Sequence, residues 1–120
     1  MTKKQIKIDP EILDVEFLQT ITDGDIEFEK ELFDTFIDSC GNNIDKMRDA
    51  VKNRDNDAWR MASHSFKGAS ASIGAFDLSH TLETAQTFSE EDYKGKADIL
   101  NKVEKKFHQV VEYLKIRLDK

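Results

Sequence analysis

The chain has 120 residues, of which 38% are apolar and 35% charged, and its formal net charge is -6. That length suits one domain with one core, so we predict a single domain over residues 1–120. The negative charge argues against nucleic acid and against an anionic membrane surface as partners. No apolar run approaches the roughly 20 residues of a membrane span and no secretory signal is recognisable, so we expect a cytoplasmic protein.

The predicted elements are all helices, because a single proline and five glycines provide few of the turns that a sheet needs. The apolar pattern divides the chain into five of them. Asp9 and Pro10 resemble a cap and a first helical residue, and Leu13, Phe17 and Ile21 follow at spacings of four, which predicts a short helix over about 10–21. Four longer amphipathic segments follow. They predict bundle helices over about 25–53, 57–73, 76–88 and 91–118.

Each long segment carries an apolar stripe at intervals of three and four residues, typical of a helix with one buried face. Cys40 lies on the stripe of the first of them and is predicted to be a buried, inert thiol. Short polar links join the four segments. The sequence therefore predicts an all-α protein, an antiparallel four-helix bundle with a short additional N-terminal helix that covers one end.

The stretch "WRMASHSFKGASASIGA" places a histidine, a lysine and a glycine within one predicted helix. At about 100° per residue, Arg60, Lys67, Gly68 and Ala71 lie within roughly 60° of His64, and Ala75 falls on the same stripe. The apolar residues lie on the other side of the wheel; they are Trp59, Ala62, Phe66, Ala69 and Ile73. His64 is therefore expected to face water.

This stripe suits an approaching anion. An exposed imidazole is mostly neutral near pH 7, so one ring nitrogen has a lone pair and can act as a nucleophile. Lys67 and Arg60, one turn away on either side, can place cations beside an anion. Gly68 costs a helix about 1 kcal/mol relative to alanine, which indicates that another molecule approaches closely there, beside the small Ala71.

The segment "HSFKGASASIGA" resembles the signature of histidine-containing phosphotransfer domains, in which a histidine is followed by an apolar residue, lysine, glycine and small residues. The resemblance extends to Leu78, Leu82 and Glu83 in the next helix. It implies that His64 accepts a phosphoryl group from the aspartyl phosphate of one receiver domain and passes it to another. It also implies that Lys67 steadies the phosphoryl oxygens and that Gly68 admits the receiver's active site.

The same resemblance implies a phosphocarrier without its own ATP site, cofactor or metal, whose partners are response-regulator receiver domains and a hybrid sensor histidine kinase. Mg²⁺ would belong to the receiver. A monomer is expected, since one chain supplies four long helices. Two alternatives stay open: a phosphate-independent scaffold or inhibitor, and the dimerising histidine-bearing part of a sensor kinase, although that motif's proline is absent after His64.

The remaining residues give weaker signals. His80 and His108 have no lysine in the matching position and are predicted to be ordinary surface residues. The three histidines and one cysteine do not have the spacing of a metal site. Phe17, Ile21 and Phe28 are predicted either to cover the end of the bundle core or to form a patch where a receiver docks.

Overall fold

A computed structural model describes residues 8–118, which form five α-helices. They are α1 (Val15–Thr22), α2 (Ile26–Asn53), α3 (Asn56–Ser72), α4 (Phe76–Ala85) and α5 (Tyr93–Leu118). The predicted all-α bundle is confirmed. The predicted domain span also includes residues 1–7 and 119–120, which lie outside the described residues.

The four long helices form an antiparallel square. α2 packs against α3 and α5, and α4 packs against the same two helices, so α3 and α5 lie on opposite corners. Two side-chain contacts fix the register of α3: Asn43 donates to the Ser65 hydroxyl at 3.4 Å, and the Ser79 hydroxyl donates to the Lys67 carbonyl at 3.2 Å. The outer face of α3 therefore points away from α5.

The predicted apolar stripes meet inside this square. Phe66 of α3 reaches across the core to Phe107 of α5, with ring centroids 6.0 Å apart, and Phe36 lies 5.9 Å from the same ring. Burial raises the pKa of the Cys40 thiol to about 12, so the reactive thiolate is scarce at neutral pH. The other large core residues come from all five helices and their links; they include Leu13, Leu18, Phe33, Met47, Trp59, Ile73, Leu78, Leu82, Val103, Val110 and Leu114.

The first helix differs from its prediction: it begins at Val15, not near residue 10. The N–H of Asp14 donates to the Gly74 carbonyl at 2.9 Å, and the N–H of Asp77 donates to the Glu11 carbonyl at 3.0 Å. These contacts with the α3–α4 turn hold Asp14 extended, and its carboxylate then accepts the N–H of Phe17 as a cap. Residues 9–12 form only a turn.

Two further helix ends are displaced from the prediction. α4 ends at Ala85 and not near residue 88, because the indole N–H of Trp59 donates to the Ala85 carbonyl at 2.8 Å and takes the acceptor that a continuing helix would use. α5 begins at Tyr93 and not near residue 91, and Asp92 provides its cap, since the Asp92 carboxylate accepts the N–H of Gly95 at 2.8 Å.

None of the helices within residues 8–118 combines the length and apolar character needed to cross a bilayer.

Candidate functional site

His64 lies midway along α3 and is exposed to solvent. The reason is the helix pattern: Trp59, Ala62 and Phe66 are buried in the core and fix the rotation of α3, so the residue between them on the outer face must point outward. The predicted orientation of the imidazole is therefore the one that the structure has. A molecule can approach the ring from solvent without any movement of the bundle.

Lys67 follows His64 by one turn and lies on the α4 side of the outer face. Its backbone carbonyl accepts the Ser79 hydroxyl, and its side chain is half-buried. Within residues 8–118 no carboxylate lies within ion-pair distance of its ammonium group. The charge of Lys67 is thus free to meet an anion bound at His64.

Gly68 is exposed, and a Cβ atom built at this position meets nothing within 4 Å. The bundle itself therefore gives no steric reason for a glycine here. Ala71, one turn further, is half-buried and keeps the surface low. Ala75 does not belong to this surface, contrary to the prediction, because α3 ends at Ser72 and Ala75 is buried just before α4.

Arg60 precedes His64 by one turn and is exposed, but its guanidinium pairs with the Asp57 carboxylate at 3.0 Å. That contact directs the side chain toward the start of α3 and away from His64. Exposed pairs of this kind contribute only about 0–1 kcal/mol, so an arriving anion can compete for the guanidinium. Arg60 is less available to the site than Lys67.

The predicted docking residues are not brought to His64. Phe17 packs edge-on against Phe76 with centroids 5.2 Å apart and helps to cover the end of the core. Ile21 and Phe28 are exposed at that same end. Phe28 precedes Asn43 by 15 residues on α2, which is about 22 Å along the helix axis, and Asn43 is level with the histidine.

Two features beside the histidine were missed in the sequence. Met61 is 74% exposed, one turn before His64, and Ser65 is held by Asn43 of α2. Met61 had a detectable signal, since it is an apolar residue on the outer side of the helical wheel. The Asn43–Ser65 contact had no such signal, because the sequence of one helix does not determine how α2 and α3 are aligned with each other.

Histidines elsewhere do not join this site. His80 is exposed on α4 and His108 is exposed on α5. Among the residues that the structure describes, no three histidine, cysteine or carboxylate side chains gather closely enough to hold a metal ion. The site therefore consists of one imidazole, one free lysine and a flat surround, all on α3.

A four-helix bundle that presents one histidine in this setting has the architecture of a histidine phosphotransfer domain. The model of the Hpt domain family matches residues 31–115, more than half of the chain, so the protein belongs to that family. This confirms the resemblance noted in the sequence. Membership supports a histidine phosphotransfer role in a phosphorelay.

A solved structure shares the fold: histidine-containing phosphotransfer protein B (HptB) of Pseudomonas aeruginosa PAO1, at a TM-score of 0.81. The two chains are 23% identical, and the likeness covers 90% of this chain and 95% of the other. No curated protein sequence matches the chain significantly.

Proposed function

We propose that the protein is a phosphocarrier in which His64 accepts a phosphoryl group from the aspartyl phosphate of a receiver domain and passes it to a second receiver. The observation that carries this proposal is the position of His64: exposed at the middle of α3, one turn from a lysine without an ion-pair partner in residues 8–118. Membership of the Hpt domain family supports it.

The transfer requires little from the carrier. The lone pair of a ring nitrogen forms a P–N bond as the P–O bond to the aspartate breaks, the carboxylate leaves as an anion, and the other ring nitrogen keeps its proton. The reverse step hands the group to the next receiver. Such a reaction depends on alignment and on neutralising the charge of the phosphoryl oxygens. His64 supplies the nucleophile, and Lys67 supplies a cation.

The surround suits an approaching protein domain. The receiver must bring its phosphoryl group to within about 3–3.5 Å of the imidazole, so its surface passes over Gly68 and Ala71. Neither residue projects a side chain that would block this path. Arg60 would act as a secondary cation, after exchange of its Asp57 partner for the phosphoryl oxygens.

The metal ion of the reaction would belong to the receiver, and the protein would need neither ATP nor a cofactor of its own. We expect chelation of Mg²⁺ to stop transfer from a phosphorylated receiver. Addition of Mg²⁺ to the isolated protein should leave the resonances of His64 and Lys67 unmoved in an NMR titration.

The deciding experiment mixes the protein with a receiver domain carrying labelled aspartyl phosphate. The expected product is a label that is lost in acid and kept in base, as a phosphohistidine requires. His64→Gln should abolish labelling while circular dichroism shows unchanged helicity, and His80→Gln, at an exposed histidine of α4, should label like the unaltered protein. A labelled His64→Gln variant would show that the acceptor lies elsewhere.

The same assay separates the scaffold or inhibitor alternative, which predicts receiver binding without label. The mass in solution separates the kinase alternative, since a dimerising histidine domain needs two chains. We expect a monomer near 13.8 kDa, because α2, α3, α4 and α5 of one chain already close the core. Ile21 and Phe28 are exposed at the α1–α2 end, away from the path of the receiver, so Phe28→Ala should change the KM of transfer less than about twofold.

A further inference from the structure

A groove of about 560 Å³ runs between α2 and α3 on one side of His64. Asn43, Lys46, Asp49 and Ala50 line it from α2, Ala58, Met61 and Ser65 line it from α3, and Asp55 lies at the α2–α3 link. Along α2 it extends from Asn43 to Asn53, about 15 Å. The groove begins level with the histidine, because Asn43 contacts Ser65, the residue next to His64.

Met61 is the large apolar side chain on the α3 wall of this groove. Its Cβ lies about 5–6 Å from that of His64, as residues three apart on a helix do, and 74% of its surface is exposed. Exposed large apolar residues elsewhere in the described chain are Ile21, Ile26 and Phe28, all at the α1–α2 end. Met61 is therefore the one such residue that a molecule seated over His64 can cover.

The opposite wall is polar. Lys46 lines the groove from α2, and no carboxylate within residues 8–118 forms an ion pair with it. The part of the groove nearest His64 thus offers an apolar anchor on α3 and an unpaired cation on α2, while the carboxylates of Asp49 and Asp55 lie further along it. On the α4 side of His64, by contrast, the Ser79 hydroxyl donates to the Lys67 carbonyl and Lys67 is half-buried.

We propose that the α2–α3 groove is where receiver domains are recognised, with Met61 as its anchor and Lys46 as its charged contact. The matching receiver surface carries an apolar side chain that packs on Met61 and, beside it, a carboxylate that pairs with Lys46. This inference rests on the proposed function, because a receiver that delivers a phosphoryl group to His64 covers the adjacent groove as well. Central apolar anchors of this kind carry most of the affinity of an interface.

The test separates docking from phosphoryl chemistry. Phosphoramidate is a small donor that needs no docking surface, so it should label His64 equally in the unaltered protein, Met61→Ala and Lys46→Glu. Each labelled protein is then mixed with increasing amounts of a receiver domain that exchanges phosphoryl groups with the unaltered protein, and kcat and KM of transfer are measured. Met61→Ala should raise KM about tenfold or more, with kcat nearly unchanged.

Matched variants sharpen the result. Met61→Leu keeps an apolar side chain of similar volume and should restore KM to within about threefold. Ile26→Ala removes an equally exposed apolar residue (72%) at the far end of α2 and should change KM less than about twofold. Lys46→Glu should raise KM, while Lys102→Glu, on the exposed face of α5, should not.

A larger KM change for Ile26→Ala than for Met61→Ala would assign recognition to the α1–α2 end and overturn the inference. Loss of kcat without a change of KM in Met61→Ala would also overturn it, since an anchor acts on binding. Failure of the proposed function itself looks different, because neither phosphoramidate nor any receiver would then label His64 in the unaltered protein.

Discussion

Two glycines occupy helix interiors with open space at the Cβ position: Gly41 of α2 and Gly68 of α3. Either should accept alanine with a gain of up to about 1 kcal/mol in the free energy of unfolding. Their surroundings differ, because Gly41 borders a second, shallow groove between α2 and α5, whereas Gly68 lies one turn from His64. The same substitution should therefore have different effects on phosphoryl transfer.

We expect Gly68→Gln to slow transfer from a receiver at least tenfold through steric obstruction of its approach, while phosphoramidate labelling and thermal stability stay close to normal. Gly41→Gln is the control and should transfer at the unaltered rate. Transfer kinetics and thermal melting measure the two effects. A large loss of helicity in Gly68→Gln, or equal losses of transfer in both variants, would contradict the close-approach argument.

Lys67 and Arg60 provide a comparison between a free cation and a paired one. Lys67→Ala should slow transfer about tenfold or more, or shorten the life of the phosphohistidine, because the phosphoryl oxygens lose their nearest protein charge. Arg60→Ala should have a smaller effect, since Arg60 already pairs with Asp57. Stopped-flow transfer rates and the decay of labelled protein measure both. A greater loss in Arg60→Ala would reverse the two roles.

The outward orientation of the α3 site residues could be predicted because it depends on the sequence of one helix. The orientation of His64, Lys67 and Gly68 depends only on the helical period and on which residues of α3 are apolar, and both are properties of one segment. Met61 follows the same logic but was overlooked. Lys46 and Asn43 belong to another helix, and their position beside the site depends on the register of α2 against α3, which no single segment contains.

At the scale of elements, helix ends were the least predictable features because distant atoms compete for their hydrogen bonds. The end of α4 depends on Trp59, and the start of α1 depends on the Gly74 carbonyl. Gly74 follows the end of α3, and the structure gives two reasons for a glycine there: its φ is +88°, and a Cβ there would lie 3.0 Å from the Asp14 carbonyl oxygen. The turn between α3 and α4 and the segment before α1 therefore stabilise each other through contacts between Gly74 and Asp14.

Lys96 is a lysine in the first turn of α5, yet it is fully buried. Its ammonium group donates to the Asn56 side-chain oxygen at 2.6 Å and to the Glu90 carbonyl at 3.2 Å, and lies 4.4 Å from the centre of the Tyr93 ring. Burial lowers the pKa of Lys96, although the nearby charges of Asp92 and Glu90 oppose the shift. The contact ties the start of α5 to the start of α3.

This burial predicts a pH dependence. The folded protein binds the Lys96 proton less tightly than the unfolded chain does, so the free energy of unfolding contributed by this group should rise with pH between the lowered pKa and about 10.4. Below that window both states are charged and the contribution is constant. The difference in unfolding free energy between Lys96→Met and the unaltered protein, from urea titrations at several pH values, should therefore change across the window in favour of the unaltered protein.

Lys102→Met, at an exposed position of the same helix, is the control and should show a constant difference across the same pH values. If the two lysine variants behave alike, the ammonium group of Lys96 is not desolvated in solution.

At the scale of the whole molecule, the composition and the apolar stripes predicted the bundle because any four amphipathic helices joined by short links have few ways to bury their apolar faces. Polar contacts between residues far apart in sequence were not predictable in this way. The clearest example is at the α1–α2 end, where the buried Glu29 carboxylate pairs with Arg117 of α5 and accepts the Thr22 hydroxyl at 3.4 Å. This cluster joins α1, α2 and α5.

Loss of Arg117 alone should lower the free energy of unfolding more than loss of both Arg117 and Glu29. Arg117→Met leaves a buried carboxylate with only the Thr22 hydroxyl and should lower the free energy of unfolding by roughly 3 kcal/mol, whereas Glu29→Met combined with Arg117→Met should recover part of that loss. Urea unfolding of the two single variants and the double variant measures the coupling. Phosphoramidate labelling of His64 should persist in every variant that remains folded, because Glu29 lies 14 residues before Asn43 on α2, about 21 Å along the helix. A loss in the double variant equal to the sum of the two single losses would mean that the carboxylate gains nothing from the guanidinium, and the three helices would then be joined at this end by apolar packing alone.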